Sequence, residues 1–297
     1  MNKEEFNKLY QTLKKSKFRQ QKFPGWRPLP TISCITIIFI TFGVIFVIVG
    51  ILILIFSSHV TEFKFRYDLI CNKTLNCQIP ITIPEKLKKP IMIYYQINDL
   101  RQNHRFYMEN KSDKQLKGED VSKEDLEKNN VCENNLYNEA LGNDGGISYP
   151  CGLMANSFYR QNFTFEAGGK ELNVTTEGIA YKSDRDYYKL IASKNYWQDV
   201  TDEHFMIWMR ISPFESPRKL WGIIENDDLV SGTLLKVKID YNMYGNFEKY
   251  LILSTRNVFG GKNKVLGSFY IVFGAICFIS AVVFINIFNF FHKKPKK

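Results

Sequence analysis

The residues capable of acid–base, metal or phosphate chemistry are scattered along this chain. Its histidines lie far apart in sequence, which is typical of surface hydrogen-bonding groups rather than of a catalytic base or a metal site: His59, His104, His204 and His292. The sequence contains no G-x-S-x-G nucleophile motif, no H-E-x-x-H zinc motif and no phosphate-binding loop. We therefore predict no catalytic residue.

Two short stretches come closest to a ligand site. Asp199, Asp202 and Glu203 form an acidic cluster, but it lacks the regular alternation of oxygen ligands that calcium loops use, so a solvated turn is favoured. The run Gly260–Lys262 matches the end of a phosphate-binding loop, but the spacing before it is wrong, so a tight turn is favoured. The sequence thus predicts no bound metal and no cofactor.

Four of the six cysteines lie in the central, polar part of the chain: Cys71, Cys77, Cys132 and Cys151. In an oxidising compartment, four cysteines predict two disulfides, and three pairings are possible. Loop closure costs least entropy over short loops, which favours pairing the first two and the last two. The spacing has neither the paired C-x-x-C nor the nearby histidines of a zinc site.

Two uninterrupted apolar runs flank this polar part of the chain: Thr31–Phe56 and Val265–Phe291. They contain no Asp, Glu, Lys or Arg and are 26 and 27 residues long. Each exceeds the roughly 20 residues that a helix needs to cross a bilayer. The first run is also too long for the core of a cleaved signal peptide, so we interpret it as a signal anchor. The chain is predicted to cross a membrane twice.

The distribution of charge predicts the orientation. The formal net charge is +10, and the two tails account for all of it, since the segment 57–264 balances 28 basic with 28 acidic residues. Basic residues beside spans stay cytosolic. The predicted organisation is therefore a cytosolic tail (1–30), a span (31–56), a luminal or extracellular ectodomain (57–264), a second span (265–291) and a cytosolic tail (292–297).

The same charge distribution bears on the expected partners. Because the ectodomain has no excess of basic residues, nucleic acid is not an expected partner. Anionic lipids are expected to attract the basic tails.

Four N-x-S/T sequons fall in the predicted ectodomain and are its candidate glycosylation sites: Asn72, Asn110, Asn162 and Asn173. They agree with the predicted orientation, although a chain this rich in asparagine would carry some sequons by chance.

Alternation of apolar and polar residues predicts that the ectodomain is a mainly antiparallel β-sandwich. The alternation is clear at 63–69 and 235–239, and shorter runs predict four further strands, at 79–83, 91–97, 204–211 and 250–254. Ser122 is placed to cap a short helix that ends near Lys128, inside a polar stretch, 118–135, that we expect to be a solvated excursion from the sheets.

The N-terminal tail carries a helical pattern and then a break. Phe6, Leu9, Tyr10 and Leu13 follow the spacing of one helical face, so this helix is expected to lie on a membrane or against a partner. The run 23–28 is a helix-averse turn with an aromatic ring near the start of the first span.

Seven blocks of sequence carry a resemblance to a known family. They are FRQQKFPGWRP (18–28), QNHRFY (102–107), PCGLMANS (150–157), GIAYKSD (178–184), DEHFMIWMR (202–210), RKLWG (218–222) and GGKNKVLG (260–267). In this order they resemble the cell division cycle protein fifty family, also called the ligand-effect modulator family. The resemblance runs from about residue 18 to 278.

This resemblance implies a non-catalytic accessory subunit in a heterodimer with a type IV P-type ATPase, a phospholipid flippase. It implies that the chain assists the ATPase in folding, in leaving the endoplasmic reticulum and in moving phospholipid to the cytosolic leaflet. The aspartyl-phosphate chemistry would belong to the partner, since this chain has no DKTG motif. An integral, multi-pass protein of the endoplasmic reticulum, Golgi, endosomes or plasma membrane is expected.

The resemblance also implies particular residues. It pairs Cys71 with Cys77 and Cys132 with Cys151. It places both the ectodomain and the N-terminal tail against the ATPase, and the matching tail residues are Phe18, Arg19, Gln20, Gln21, Pro24 and Trp26. The chain departs from the family pattern at Tyr181, where many members have Trp, at 215–217 and around 118–135.

Two other functions are compatible with the ectodomain alone. A free-standing glycosylated receptor or adhesion protein would fold and travel without any flippase. An ectoenzyme with an unfamiliar site would have only the acidic clusters to support it.

Overall fold

The structure, a computed structural model, describes residues 3–22, 31–71, 76–132, 136, 147–192, 194–240, 247–258 and 260–292. The predicted sites Asn72, Pro24 and Trp26, and the turn at 23–28, lie outside these residues. The chain forms two compact units, Met1–Ile51 with Val265–Lys297, and Leu52–Lys264.

The first unit is helical. The helices that lie mainly in it are α1 (Lys3–Lys15), α2 (Ile32–Ser58) and α9 (Lys264–His292). The predicted N-terminal helix is thus confirmed in α1. Helices α2 and α9 contain the two apolar runs and are long and apolar enough to cross a membrane.

Glycines bring α2 and α9 into close contact. A Cβ atom added at Gly50 would lie 2.9 Å from the carbonyl oxygen of Gly267, and one at Gly43 would lie 3.3 Å from that of Gly274. The two glycines of α2 are seven residues apart, as are those of α9, so they recur on one side of each helix. Small residues at this spacing let two helix backbones approach in an apolar environment.

The second unit is built on two antiparallel sheets. The elements, in chain order, are β1 (Glu62–Arg66), β2 (Asn76–Thr82), β3 (Ile91–Ile97), α3 (Arg105–Glu109), α4 (Asp113–Leu116), α5 (Lys123–Lys128), α6 (Leu153–Asn156), β4 (Asn162–Ala167), β5 (Lys170–Glu171), β6 (Val174–Thr175), α7 (Lys182–Tyr187), α8 (Glu203–Met209), β7 (Arg218–Ile224), β8 (Leu234–Asp240) and β9 (Lys249–Thr255). One sheet has the order β1-β9-β3-β7-β6 and the other β2-β8-β4-β5. The predicted mainly antiparallel fold is confirmed.

The two sheets share one apolar core. Strands β2 and β8 alternate buried and exposed residues along their whole length, as expected for a sheet with one face against a core. Side chains of both sheets belong to the same buried cluster. Across it, the ring of Phe163 on β4 meets the edge of Trp221 on β7 at 5.2 Å between centroids.

The strand predicted at 204–211 is wrong, because this segment forms helix α8. Five consecutive residues, 205–209, are buried, and a short run that is apolar on every side fits a buried strand and a buried helix equally well. The Asp202 side chain favours the helix over the strand, because its Oδ1 accepts a hydrogen bond from the His204 N–H at 3.0 Å and caps the helix.

The polar stretch 118–135 contributes a small core of its own. Ser122 caps α5 as predicted, with its Oγ accepting from the Asp125 N–H at 3.2 Å. Val121 and Leu126 are nevertheless buried beside one of the disulfides, so the described part of the stretch is more than a solvated excursion. The local packing explains why a sequence dominated by charge holds a defined position.

The four cysteines Cys71, Cys77, Cys132 and Cys151 of the second unit form two disulfide bonds in the structure. Cys71 joins Cys77, with Cα atoms 5.4 Å apart, and Cys132 joins Cys151, with Cα atoms 5.8 Å apart. These are the pairs that loop length favoured and that the family resemblance implied.

Candidate partner-binding surfaces

The described part of the predicted tail site is a turn that follows α1. Gln20 Nε2 donates to the Leu13 carbonyl oxygen at 3.3 Å, and the Arg19 N–H donates to Ser16 Oγ at 3.4 Å. These bonds end the helix and hold residues 18–21 as a compact turn. The side chains of Phe18 and Arg19 are exposed there, as a partner-binding role requires.

In the ectodomain, Glu203 connects two of the blocks quoted above. Its Oε1 accepts from the Gly178 N–H at 2.9 Å, and its Oε2 accepts from the Ala180 N–H at 2.6 Å. Burial alone would raise the pKa of Glu203, but these backbone hydrogen bonds and the nearby Arg185 guanidinium outweigh it and lower that pKa. The carboxylate therefore stays ionised and fixes the loop that leads into α7.

That loop presents an exposed aromatic ring. Tyr181 is 65% exposed, and the Arg210 guanidinium lies over its ring at 4.0 Å from the centroid. Arg210 is itself held by two hydrogen bonds to the Asp184 carboxylate, one of them 3.0 Å from Nη2 to Oδ1. The ring is thus oriented by packing and does not depend on a partner for its position.

A second exposed aromatic side chain stands on the loop after α8. Phe214 is 75% exposed. Its loop is fastened to the QNHRFY block, since Asn103 Nδ2 donates to the Pro213 carbonyl at 2.9 Å and the Ser212 N–H donates to Gln102 Oε1 at 3.2 Å. Exposed apolar residues on a fixed backbone are typical of protein–protein contact sites. We call Tyr181 and Phe214 the exposed aromatic pair.

Lys219 lies beneath the Arg210 loop and is only 5% exposed. Its Nζ donates to the carbonyl oxygens of Trp208, at 3.2 Å, and of Arg210. Burial, followed by repulsion from the Arg210 charge, lowers the pKa of Lys219 to about 7. Local sequence offers little sign that this lysine is buried, since Lys219 stands between Arg218 and Leu220 at the start of strand β7.

His204 and Asp202 form a pair on α8. His204 Nε2 donates to the Trp221 carbonyl oxygen at 2.7 Å, and its Nδ1 lies 3.4 Å from Asp202 Oδ1. Burial opposes the charged imidazolium, but these two acceptors outweigh it and raise the pKa of His204. Both groups are used in positioning α8 against β7. The third acidic residue, Asp199, accepts from Thr201 in a turn of its own.

The sequons differ in accessibility. Asn162 and Asn173 are exposed, as glycan attachment requires. Asn110 is 3% exposed, and its Oδ1 accepts from the Leu153 N–H at 2.7 Å. A Cβ atom at the neighbouring Gly152 would lie 2.3 Å from the Asn110 carbonyl oxygen, which shows how tightly the two segments pack. In the folded chain the Asn110 side chain is thus a packed structural group, which disfavours the predicted glycan at this sequon.

The GGKN segment makes the turn that the sequence predicted before the second apolar run. Asn257 and Gly260 exchange two backbone hydrogen bonds, of 2.9 and 3.0 Å, and Asn257 Nδ2 donates to the Phe56 carbonyl at 2.7 Å. Asn263 N–H donates to Ser57 Oγ at 2.9 Å. The glycines permit a tight turn, with Gly260 at φ +97°, and the polar bonds fasten the turn to the last residues of α2.

These surfaces suit binding better than catalysis. Among the residues that the structure describes, no group of three or more His, Cys, Asp or Glu side chains is placed to hold a metal ion. The acidic residues that the sequence singled out all serve as hydrogen-bond acceptors within the fold. Side chains available to another molecule include the exposed aromatic pair, the turn at 18–21 and the apolar face of α1.

Comparison with known proteins gives consistent results along the chain. The family described as the LEM3 (ligand-effect modulator 3) family / CDC50 family matches residues 53–295. A protein named putative ALA-interacting subunit 4, from Arabidopsis thaliana, is 33% identical over 303 residues, which cover 91% of this chain and 87% of that protein. Cell cycle control protein 50A from Mus musculus is 28% identical, covering 91% of this chain and 87% of its own length. The phospholipid-transporting ATPase accessory subunit LEM3 from Saccharomyces cerevisiae is 27% identical, covering 95% of this chain and 84% of its own length.

Proposed function

Because this chain belongs to the LEM3 (ligand-effect modulator 3)/CDC50 family, we infer that it is a membrane-embedded, non-catalytic accessory subunit of a phospholipid-transporting P-type ATPase. The observation that carries this conclusion is similarity over nearly the whole chain to a protein named as such an accessory subunit. The partner is the ATPase catalytic subunit, in a heterodimer, and ATP hydrolysis belongs to that partner.

Its task in the complex is to support folding of the ATPase, its exit from the endoplasmic reticulum and its transport of phospholipid to the cytosolic leaflet. A disulfide-bonded domain joined at both ends to apolar helices supports this task, because such a chain can contact a partner on two sides of a membrane.

We further propose that the protein is multi-pass, with cytosolic tails at 1–30 and 292–297, spans at 31–56 and 265–291 and a luminal or extracellular ectodomain at 57–264. The excess of basic residues in the two tails supports this orientation. The two disulfides support an oxidising surrounding for the ectodomain. The complex is expected in the endoplasmic reticulum, Golgi, endosomes or plasma membrane.

The proposed contacts with the ATPase are the tail residues 18–21 with Pro24 and Trp26 on one side of the membrane, and the ectodomain on the other. The exposure of Phe18 and Arg19 supports the first, and the exposed aromatic pair supports the second. Glycans are proposed at Asn72, Asn162 and Asn173.

The test is a mild-detergent pull-down of the tagged full-length chain from native membranes, with mass spectrometry and an ATPase assay of the eluate. We expect a co-eluting P-type ATPase whose turnover rises with its phospholipid substrate. A folded, glycosylated chain that repeatedly elutes without an ATPase would refute the subunit and favour a free-standing receptor.

A further inference from the structure

Helix α1 exposes an apolar face. Phe6 and Tyr10 are each 53% exposed and Leu9 is 47% exposed, while Leu13 completes the face one turn further on. Residues at positions i, i+3, i+4 and i+7 lie along one side of a helix. Four large apolar side chains in a row are more than a solvated helix requires, and they need a surface to cover them.

Charges at both ends of α1 favour the helical form that such a surface would bind. Its first turn carries Glu4 and Glu5 and its last turn carries Lys14 and Lys15, which is the arrangement that complements the helix dipole. No Gly or Pro occurs between residues 3 and 22. The Gln20 side chain then bonds to the carbonyl of Leu13 and closes the last turn.

The charge of this region indicates what covers the face. Residues 3–22 contain seven Lys or Arg against two Glu, a net charge of +5. Lys8 and Lys15 lie outside the apolar face, and Lys3 and Lys14 flank it, so that their long side chains can extend to headgroups while their stems cover apolar surface. A helix with a narrow apolar face, a basic remainder and low overall hydrophobicity is typical of helices that lie in a membrane interface.

Position along the chain points to the same surface. The membrane helix α2 begins at Ile32, only 17 positions after the end of α1. A tether this short keeps α1 at a high effective concentration at the bilayer surface, so even weak apolar and electrostatic contacts are populated. A groove on a partner protein would need shape complementarity to the four side chains, whereas a bilayer accepts them in any register.

We propose that α1 lies flat on the anionic leaflet of the membrane that α2 enters, with Phe6, Leu9, Tyr10 and Leu13 inserted among the lipids. The bound surface is a phospholipid interface containing acidic headgroups. This inference goes beyond the accessory-subunit function and does not depend on it, because the contact is made by this chain alone.

The experiment uses the full-length chain in nanodiscs, without ATPase. Leu9→Trp places a fluorophore on the apolar face and Gln11→Trp places a matched one on the opposite side; the wild-type chain supplies the background of the native tryptophans. Nanodiscs contain phosphatidylcholine alone or phosphatidylcholine with phosphatidylserine, each with and without bromine-labelled acyl chains, which quench tryptophan on contact.

In phosphatidylserine nanodiscs, we expect bromine to quench most of the fluorescence that L9W adds to that of the wild-type chain. Bromine should quench less of it in phosphatidylcholine alone. The fluorescence that Q11W adds should be nearly unchanged by bromine. High salt should weaken the phosphatidylserine effect. Equal quenching of the two variants, or no quenching of L9W, would overturn the proposal.

A second variant tests the charge. Replacing Lys8 and Lys15 by Glu leaves the apolar face intact and should abolish the preference of L9W for phosphatidylserine; a preference that survives would contradict an electrostatic contact. A different result would be that bromine-labelled lipid does not quench L9W, and that L9W becomes shielded from aqueous iodide only when the ATPase is added. The apolar face of α1 would then bind the partner protein, and the proposal would be wrong. Failure of the pull-down described above would leave this result unchanged.

Discussion

At the scale of single residues, the ectodomain depends on polar groups that the fold has buried and supplied with partners. Glu203 fastens a loop through two backbone N–H groups. Lys219 and Asn110 each bond to main-chain atoms in places that exclude most water. Removing one partner of a buried hydrogen bond leaves the other partner unpaired and costs its full desolvation penalty. Substitutions at these residues should therefore lower the free energy of unfolding.

Lys219 predicts a dependence of stability on pH. Its pKa is about 7 in the folded chain and near 10.5 when unfolded, so between these values the unfolded state binds more protons. Stability from this group is therefore lowest at and below pH 7 and rises as pH increases toward 10. Lys219→Met should remove that rise. Thermal midpoints of the two proteins at pH 6.5 and 8.5 would check it, with Lys238→Met, on the exposed side of β8, as the control. Parallel pH profiles for wild type and Lys219→Met would contradict the prediction.

Asn110 predicts an unglycosylated sequon. Asn110→Gln should leave the glycoprotein's electrophoretic mobility unchanged and lower the free energy of unfolding by about 1–3 kcal/mol, because the Leu153 N–H loses its acceptor. Asn162→Gln and Asn173→Gln, at exposed positions, should each increase the electrophoretic mobility by the amount that the loss of one glycan causes. Mobility after endoglycosidase treatment provides the baseline, and a glycan-sized shift for Asn110→Gln would show that the side chain is accessible during export.

At the scale of secondary-structure elements, packing between helices and the anchoring of loops determine which faces stay exposed to other molecules. The glycines of α2 and α9 bring these helices together, and the other sides of both helices carry exposed Ile, Val and Phe residues suited to lipid or to another span. In the ectodomain, two loops anchored by hydrogen bonds present the exposed aromatic pair.

The glycine contact predicts the effect of a larger residue. Gly50→Leu should cost about 1–3 kcal/mol, since its side chain would meet the backbone of Gly267 and Ile271 at distances near 3 Å. Gly261→Leu is the matched control, because nothing lies within 4 Å of its Cβ position. Thermal unfolding in one detergent compares the two. Equal midpoints would mean that the helices do not pack through these glycines.

The exposed aromatic pair predicts loss of assembly without loss of folding. The double variant Tyr181→Ala, Phe214→Ala should reduce recovery of the ATPase in the pull-down severalfold, because exposed, pre-oriented aromatic residues carry a large share of interface energy. Its thermal midpoint should stay close to that of wild type. Leu69→Ala, which removes an exposed apolar side chain elsewhere, is the control. Undiminished recovery would place the ectodomain contact on another surface.

At the scale of the whole molecule, two disulfides and an apolar core shared by both sheets hold the second unit together, and its two ends continue into the apolar helices α2 and α9. The described part of the 118–135 region has few buried apolar residues, and these pack beside the Cys132–Cys151 bond. The stability of that region therefore depends on the disulfide.

Cys132→Ser should consequently lower the free energy of unfolding by about 2–5 kcal/mol and impair export. Thermal unfolding with and without reductant, together with maturation of the glycans, measures both effects. Cys34→Ser, which removes an unpaired cysteine, is the control and should behave as wild type. Unchanged melting and delivery of Cys132→Ser would show that the bond is dispensable.

Strong local patterns explain what was predictable. Two long apolar runs, period-two alternation at 63–69 and 235–239, and the Ser122 cap each act through neighbouring residues. The structure has helices at the runs and the cap, and strands β1 (Glu62–Arg66) and β8 (Leu234–Asp240) at the alternations, with 67–69 outside β1. The segment 204–211 was predicted wrongly, because a run buried on all sides has no periodicity to read. The burial of Asn110 has no local signal for a related reason: a sequon is a local motif, whereas the exposure of its side chain depends on Leu153, 43 positions away.

The sequence by itself determined the membrane helices, the β-rich ectodomain and, through the seven blocks, the family, because each of these is written in composition or local order. Only the tertiary structure decided which residues inside those blocks face outward. Glu203, Lys219 and Gln102 turn inward to hold main-chain or buried groups, while Tyr181 is left at the surface, as is Phe214 between two of the blocks. The physical reason is that burial is set by which distant segments pack together, and one-dimensional patterns do not specify those contacts.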